Sequence, residues 1–199
     1  MAALQLIAGL GNPGPEYVDT RHNAGVWFVD ELARRSGVVL QADKKLKGAT
    51  ATMRLAGHTV RLLVPDTFMN LSGQSVAACA NFYKIPVESI LVVHDELDLP
   101  LGTAKLKQGG GHGGNNGVRN IMQQLGNNGS FMRLRLGIGH PRELAPKRDV
   151  TSHVLGKPSS TERNLIEDCI DVGLKSLDLI AEDQWQRAQT LMHNHKPAE

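Results

Sequence analysis

Apolar residues along the chain fall into runs and periodicities that predict alternating strands and helices. Leu4-Gln5-Leu6-Ile7-Ala8 is a short apolar run closed by Gly9, the pattern of a buried strand. A loop with Pro13, Gly14 and Pro15 follows. Val26, Val29 and Ala33 then recur at helical spacing until Gly37 ends the segment. Residues 49–56 and 59–64 alternate weakly around Gly57-His58, as a hairpin does. Ser72 and Ser75 are placed to cap a helix carrying Val76, Ala80 and Tyr83, with Pro86 just beyond it. Ile90 to Val93 reads as a second buried strand, Thr103 to Lys107 as an edge strand, and Asn116 to Leu125 as a short helix stopped by Gly126. Met132 to Gly139 alternates like a strand. Ser159 with Glu162 forms a capping box for a long C-terminal helix. The polar, Pro-containing stretch 140–158 reads as a loop. These elements predict an α/β fold in one domain over 1–199: a mixed, mostly parallel twisted sheet flanked by helices, with C-terminal helices over about 159–193. Ligands of such a sheet bind near the carboxyl ends of its strands.

The 199 residues are 41% hydrophobic and 21% charged, enough to bury a core without disulfides or a structural metal. Net charge is only +2, but it is unevenly placed. Residues 1–99 hold 9 basic against 10 acidic side chains, residues 100–150 hold 8 against 2, and residues 151–199 hold 5 against 8. A basic block inside a near-neutral chain is a candidate for holding phosphate. Cys79 and Cys169 stand alone in apolar surroundings, with no spacing that suggests a disulfide framework or zinc. No apolar run is long enough to span a bilayer, and no signal segment is visible. A soluble cytoplasmic protein is the expectation.

Several motifs carry candidate chemistry. Gly9-Leu10-Gly11-Asn12-Pro13-Gly14 fits the dinucleotide-binding pattern by letter. Pro13 and Pro15 remove two amide donors, however, and no helix opens within the glycines. A tight loop that places Asn12 at a strand's end fits better. His22 precedes the first helix, where the dipole should keep an imidazole neutral near pH 7. His94-Asp95-Glu96-Leu97-Asp98 follows the second buried strand. Alternation puts Asp95 on the face of Leu91 and Val93, and His94 on the other, so those two are not one catalytic pair. The same four ionisable groups could instead hold a divalent cation. Asn70 is a turn residue with an amide to offer. Residues 105–117 interleave Lys105 and Lys107 with a glycine-rich run, His112, Asn115 and Asn116, ahead of a helix N-terminus that attracts anions. Arg133 and Arg135 share one face of an alternating strand. No Gly-x-Ser-x-Gly nucleophile motif is present.

Taken in order, Gly9-Leu-Gly-Asn-Pro-Gly-x-x-Tyr17, Thr20-Arg-His-Asn23, Phe68-Met-Asn-x-Ser-Gly73, His94-Asp-Glu-Leu-Asp-Leu-Pro100, Gly109-Gly-Gly-His-Gly-Gly-x-Asn-Gly117 and Arg133-Leu-Arg-Leu-Gly-Ile-Gly-His-Pro141 resemble bacterial peptidyl-tRNA hydrolase. The resemblance runs from about Leu4 to Pro158. It implies a monomeric, cofactor-free and metal-independent cytoplasmic α/β esterase that cleaves the ester joining a peptide to the 3′ end of tRNA. By position, His22 corresponds to the family's catalytic base and Asp95 to the carboxylate that orients it. Asn12, Met69, Asn70 and Asn116 correspond to residues around the peptide and the 3′ end, with Asn12 counted among the catalytic group. Tyr17 falls where the family lines its cleft. Lys107 and Arg135 correspond to the pair that holds the tRNA 5′ phosphate. This chain departs from the pattern at Asn115, where the family usually has His, and at Leu101, where Pro is common.

Overall fold

The computed structural model describes residues 3–197. Seven strands and eight helices alternate through them. They are β1 (Leu6–Gly9), α1 (Ala24–Ser36), β2 (Gln41–Asp43), β3 (Gly48–Leu55), β4 (His58–Pro65), α2 (Ser72–Phe82), β5 (Ile90–Glu96), β6 (Ala104–Gln108), α3 (Asn116–Gln124), β7 (Met132–Gly137), α4 (Pro141–Leu144), α5 (Val150–Val154), α6 (Ser160–Lys175), α7 (Leu177–Ala181) and α8 (Trp185–Asn194). Single 3-10 turns at Arg21–Asn23 and Met69–Leu71 lead directly into α1 and α2.

The strands form one sheet in the order β2-β3-β4-β1-β5-β7-β6. β1 pairs in parallel with β4 and β5, and β5 in parallel with β7. β2, β3 and the edge strand β6 join by antiparallel pairing, which makes the sheet mixed. β1 and β5 lie side by side where the connections change direction, and their carboxyl ends open the crevice that such a switch creates. Alternation divides the core in two. Ile7, Leu91, Val93, Leu134 and Leu136 pack with α1 and α6, whereas Leu6, Ala8, Ile90 and Val92 pack with α2 and α3.

Local signals account for most element ends. Gly37 takes a left-handed conformation (φ +67°) and its N–H bonds Ala33 O, closing α1. The Ser159–Glu162 capping box is present at α6. Four expectations change. Ser72 and Ser75 do not cap α2, because the turn Met69–Leu71 runs into the helix and leaves Leu71 at the cap position. Both hydroxyls are buried and donate instead to Met69 O and Leu46 O, each at 2.7 Å. The stretch 140–158 is not a plain loop: His140 and Asp149 cap the short helices α4 and α5 through Arg142 N and Ser152 N. The long C-terminal helix is broken at Ser176, whose hydroxyl donates to Val172 O, and again near Asp183 at φ +59°. Finally, β2 adds a short outer strand that the patterning leaves out.

α1 approaches the sheet unusually closely, and glycine permits it. A Cβ on Gly25 would collide with Val93 O and lie 2.7 Å from Leu10 N; one on Gly9 would collide with Gly25 O. Gly25→Ala should therefore push the helix off the sheet and destabilise the fold by about 2–3 kcal/mol. Urea unfolding of the variant against the parent protein measures this.

Candidate active site

The carboxyl ends of β1 and β5, the turns ahead of α1 and α2, the glycine-rich loop and α5 surround a cleft of about 650 Å³. Asn12, His22, Met69, Asn70, Asp95 and Asn116 all line it, so residues from five separate stretches of the chain meet in one place. Phe68, Leu97, Val150, Val154 and Leu155 supply apolar wall. Tyr17 stands one layer back, with its ring edge-to-face with Phe68 at 6.2 Å between centroids. Lys107 and Arg135 lie outside the cleft, on the neighbouring sheet face.

Asp95 is 4% exposed at the end of β5. Both its oxygens face His22: Nδ1 lies 2.8 Å from Oδ2 and 3.0 Å from Oδ1. A carboxylate at that nitrogen selects the tautomer with Nδ1–H, leaving the Nε2 lone pair free. Burial lowers the imidazole's proton affinity, but the charge of Asp95 and its hydrogen bond together outweigh burial and raise the pKa above 6.5. The expectation that the helix start lowers the proton affinity of His22 is not met. The residue sits in the 3-10 turn before α1, where Asp95 raises that affinity against burial.

His94 faces the other way, as alternation predicts. It is 1% exposed and donates Nδ1–H to Asp95 O at 2.7 Å. Burial pushes its pKa down to about 4, so it stays neutral. His94, Asp95, Glu96 and Asp98 therefore do not converge as ligands, and no group of three or more His, Cys, Asp or Glu side chains that could hold a metal ion occurs among the described residues.

Asn12 is held by a residue that patterning did not single out. The Asn23 side chain accepts from Asn12 N at 2.9 Å and donates to Asn12 O at 3.0 Å. Asn12 Oδ1 in turn accepts from Met69 N at 2.7 Å, which leaves the Asn12 Nδ2 hydrogens as free donors toward the cleft. Thr20-Arg21-His22-Asn23 could have flagged this clamp, since Asn ahead of a helix usually caps it, yet this one caps nothing. Asn115 caps α3 through Val118 N at 3.0 Å, and its Nδ2 lies 3.5 Å from Asp95 O. α5 was the larger omission. A helix of five residues has too short a period to declare that Val150, Val154 and Leu155 face the cleft.

The basic face lies beside the glycine-rich loop. Lys107 pairs across from Arg133, and Lys105 from Arg135, so Lys107 and Arg135 are diagonal neighbours on the face that β5 shares with His94. Arg133 is 3% exposed and donates to Gly109 O at 2.7 Å, which makes it a support of the loop. Arg135 lies 3.7 Å from Glu96 Oε1, while Lys107 has no acidic partner among the described residues.

An α/β fold with a carboxylate–imidazole pair and free amides at the sheet's switch point has the groups that a hydrolase's cleft requires. The peptidyl-tRNA hydrolase family model matches residues 6–199. The chain is 64% identical over 168 residues to the peptidyl-tRNA hydrolase of Alcanivorax borkumensis, covering 84% of this chain and 85% of that one. It is 55% identical over 196 residues to that of Azotobacter vinelandii, covering 98% and 100%. The crystal structure of peptidyl-tRNA hydrolase from Acinetobacter baumannii superposes with a TM-score of 0.93 at 47% identity, covering 100% of this chain and 98% of that one. This chain belongs to the peptidyl-tRNA hydrolase family and is an enzyme of the hydrolase class.

Because Asp95 alone raises the His22 pKa against burial, Asp95→Asn should drop it below 6.5, whereas the parent protein titrates above that value. A pH titration of the His22 imidazole by two-dimensional NMR reads both.

Proposed function

We propose that the chain hydrolyses the ester between a peptidyl group and the 3′ end of tRNA, with His22 and Asp95 activating a water molecule. The observation that carries this reading is the His22 Nδ1–Asp95 contact, which leaves Nε2 facing the cleft as a base. In the first step Nε2 takes a proton from water as the water oxygen attacks the ester carbonyl. The resulting imidazolium is stabilised by Asp95. The carbonyl electrons move onto its oxygen, and the free Asn12 Nδ2 is suited to donate to that oxyanion. In the second step the oxyanion collapses, the bond to the ribose 3′ oxygen breaks, and His22 returns its proton to that leaving oxygen. Water is consumed, a peptide acid and a free tRNA are released, and the enzyme is regenerated.

Asn70 and Asn116, both exposed in the cleft, are suited to hydrogen-bond the peptide backbone and the terminal nucleotide. Met69 is buried beneath them and Tyr17 backs Phe68, so both shape the wall. Lys107 and Arg135 would hold the tRNA 5′ phosphate, which anchors the acceptor arm while the cleft receives its 3′ end. Two free, buried cysteines suit a reducing cytoplasm, and we read the enzyme as a monomer there that needs no cofactor.

His22→Ala should abolish release of free tRNA from N-acyl-aminoacyl-tRNA while tRNA affinity stays within about twofold, because the side chain acts on the transition state. Single-turnover hydrolysis and filter binding separate the two, and full activity would sink the base assignment. Lys107→Ala and Arg135→Ala should each raise KM on whole substrate by roughly 10-fold with kcat nearly unchanged. An equal loss on a minimal substrate lacking the 5′ phosphate would refute the phosphate role.

A further inference from the structure

Arg21, the residue before the catalytic imidazole, is 2% exposed and turns its charge away from the cleft. Its Nη1 donates to His153 O at 3.0 Å, and its Nη2 pairs with Glu162 Oε2 at 3.0 Å. Its own backbone N–H bonds Gly156 O at 3.0 Å. The guanidinium thus joins the turn that carries His22 to the end of α5, which forms the cleft wall, and to the first turn of α6.

The linkage continues to the sheet. His153 is fully buried, donates Nε2–H to Gly139 O at 3.0 Å, and accepts at Nδ1 from Arg148 at 3.2 Å. Gly139 N bonds Leu99 O, and Ile138 N bonds Glu96 O, the residue after Asp95. A closed circuit results: Asp95, His22, Arg21, His153, Gly139 and back to the end of β5. Both members of the base–carboxylate pair stand on it, and Arg21 is the side chain that joins the His22 half to the α5 half. Glu162 has a second duty, since the same Oε2 accepts from Ser159 N at the cap of α6.

We infer that Arg21 is a positioning residue for His22: it locks the turn bearing the base to the α5 wall, so that substrate packed against Val150, Val154 and Leu155 holds the imidazole against Asp95. This rests on His22 being the base. The energetic reason is that a base displaced by about an ångström loses much of its advantage even when its chemistry is intact. Lysine cannot reproduce the role, because it has no planar fork to reach His153 O and Glu162 together.

The test compares Arg21→Ala, Arg21→Lys and Glu162→Gln with the parent protein, using N-acyl-aminoacyl-tRNA hydrolysis and NMR titration of the His22 imidazole. Arg21→Ala should lower kcat by roughly 10- to 100-fold with KM within about threefold, and Arg21→Lys should recover only part of that loss. Both should lower the His22 pKa, because the imidazole is held less tightly to Asp95. A residue that only stabilises the fold would lower the melting temperature and leave kcat and the titration untouched below melting; that result overturns the inference. If Arg21→Ala does not fold, Glu162→Gln decides. It keeps an acceptor for Ser159 N but loses the charge, and it should show a smaller fall in kcat with the same direction of titration shift. Parental kcat and titration in that variant overturn the inference as well. His22→Ala measured alongside keeps the two readings apart: full activity there defeats the base, while lost activity there with parental Arg21 variants defeats only the positioning role.

Discussion

Everything in the cleft depends on how closely α1 can approach the ends of β1 and β5. The bond between His22 and Asp95 spans two elements 73 residues apart, and it forms at 2.8 Å only because the helix start is pressed onto the strands. Gly25 against Val93 O and Leu10 N, and Gly9 against Gly25 O, leave no room for a side chain at that crossing. Moving the helix outward by the thickness of a methyl group would separate base from carboxylate. The same approach sets the loop after β1, where Asn23 grips both backbone polar groups of Asn12 and so orients its amide.

β5 acts as a partition. Its alternation sends Asp95 toward α1 and the cleft, and His94 toward the face that carries Lys105, Lys107, Arg133 and Arg135. The carboxylate is thereby kept beside the imidazole and away from the guanidinium groups. His94 stays neutral under burial and gives its proton to Asp95 O, so it braces the strand end without adding charge to it. The carboxylate–imidazole pair and the basic side chains can then lie close together without neutralising one another. Four of the eight basic side chains of residues 100–150, Lys105, Lys107, Arg133 and Arg135, share that one sheet face.

Much of the fold was legible because the signals are local. Apolar runs mark β1 and β5, Gly37 and Gly126 mark helix ends, and Ser159 with Glu162 marks the start of α6. The misread elements are those where a local signal was outcompeted. Ser72 and Ser75 look like caps, but buried carbonyls at Met69 and Leu46 were the nearer partners. The stretch 140–158 looks like a loop because α4 and α5 are too short to show a period, and their order comes from His153, Arg21 and Arg148. In the site, the residues with recognisable chemistry and motif spacing could be named in advance. Asn23, Arg21 and His153 could not, since nothing along the chain says which carbonyl a buried donor will meet.

The sequence by itself determined the order of the main strands and helices, the side of β5 on which Asp95 and His94 point, and the residue types available for acid–base chemistry and for pairing with anions. These follow from periodicity and from chemistry carried within a few residues. Only the tertiary structure decided that His22 is held by Asp95 with its pKa raised, that Asn12 retains free donors, and that α5 closes the cleft. Each of those outcomes is a balance between burial and a partner distant in the chain. Such a balance acquires a sign only when packing brings the two within hydrogen-bonding distance.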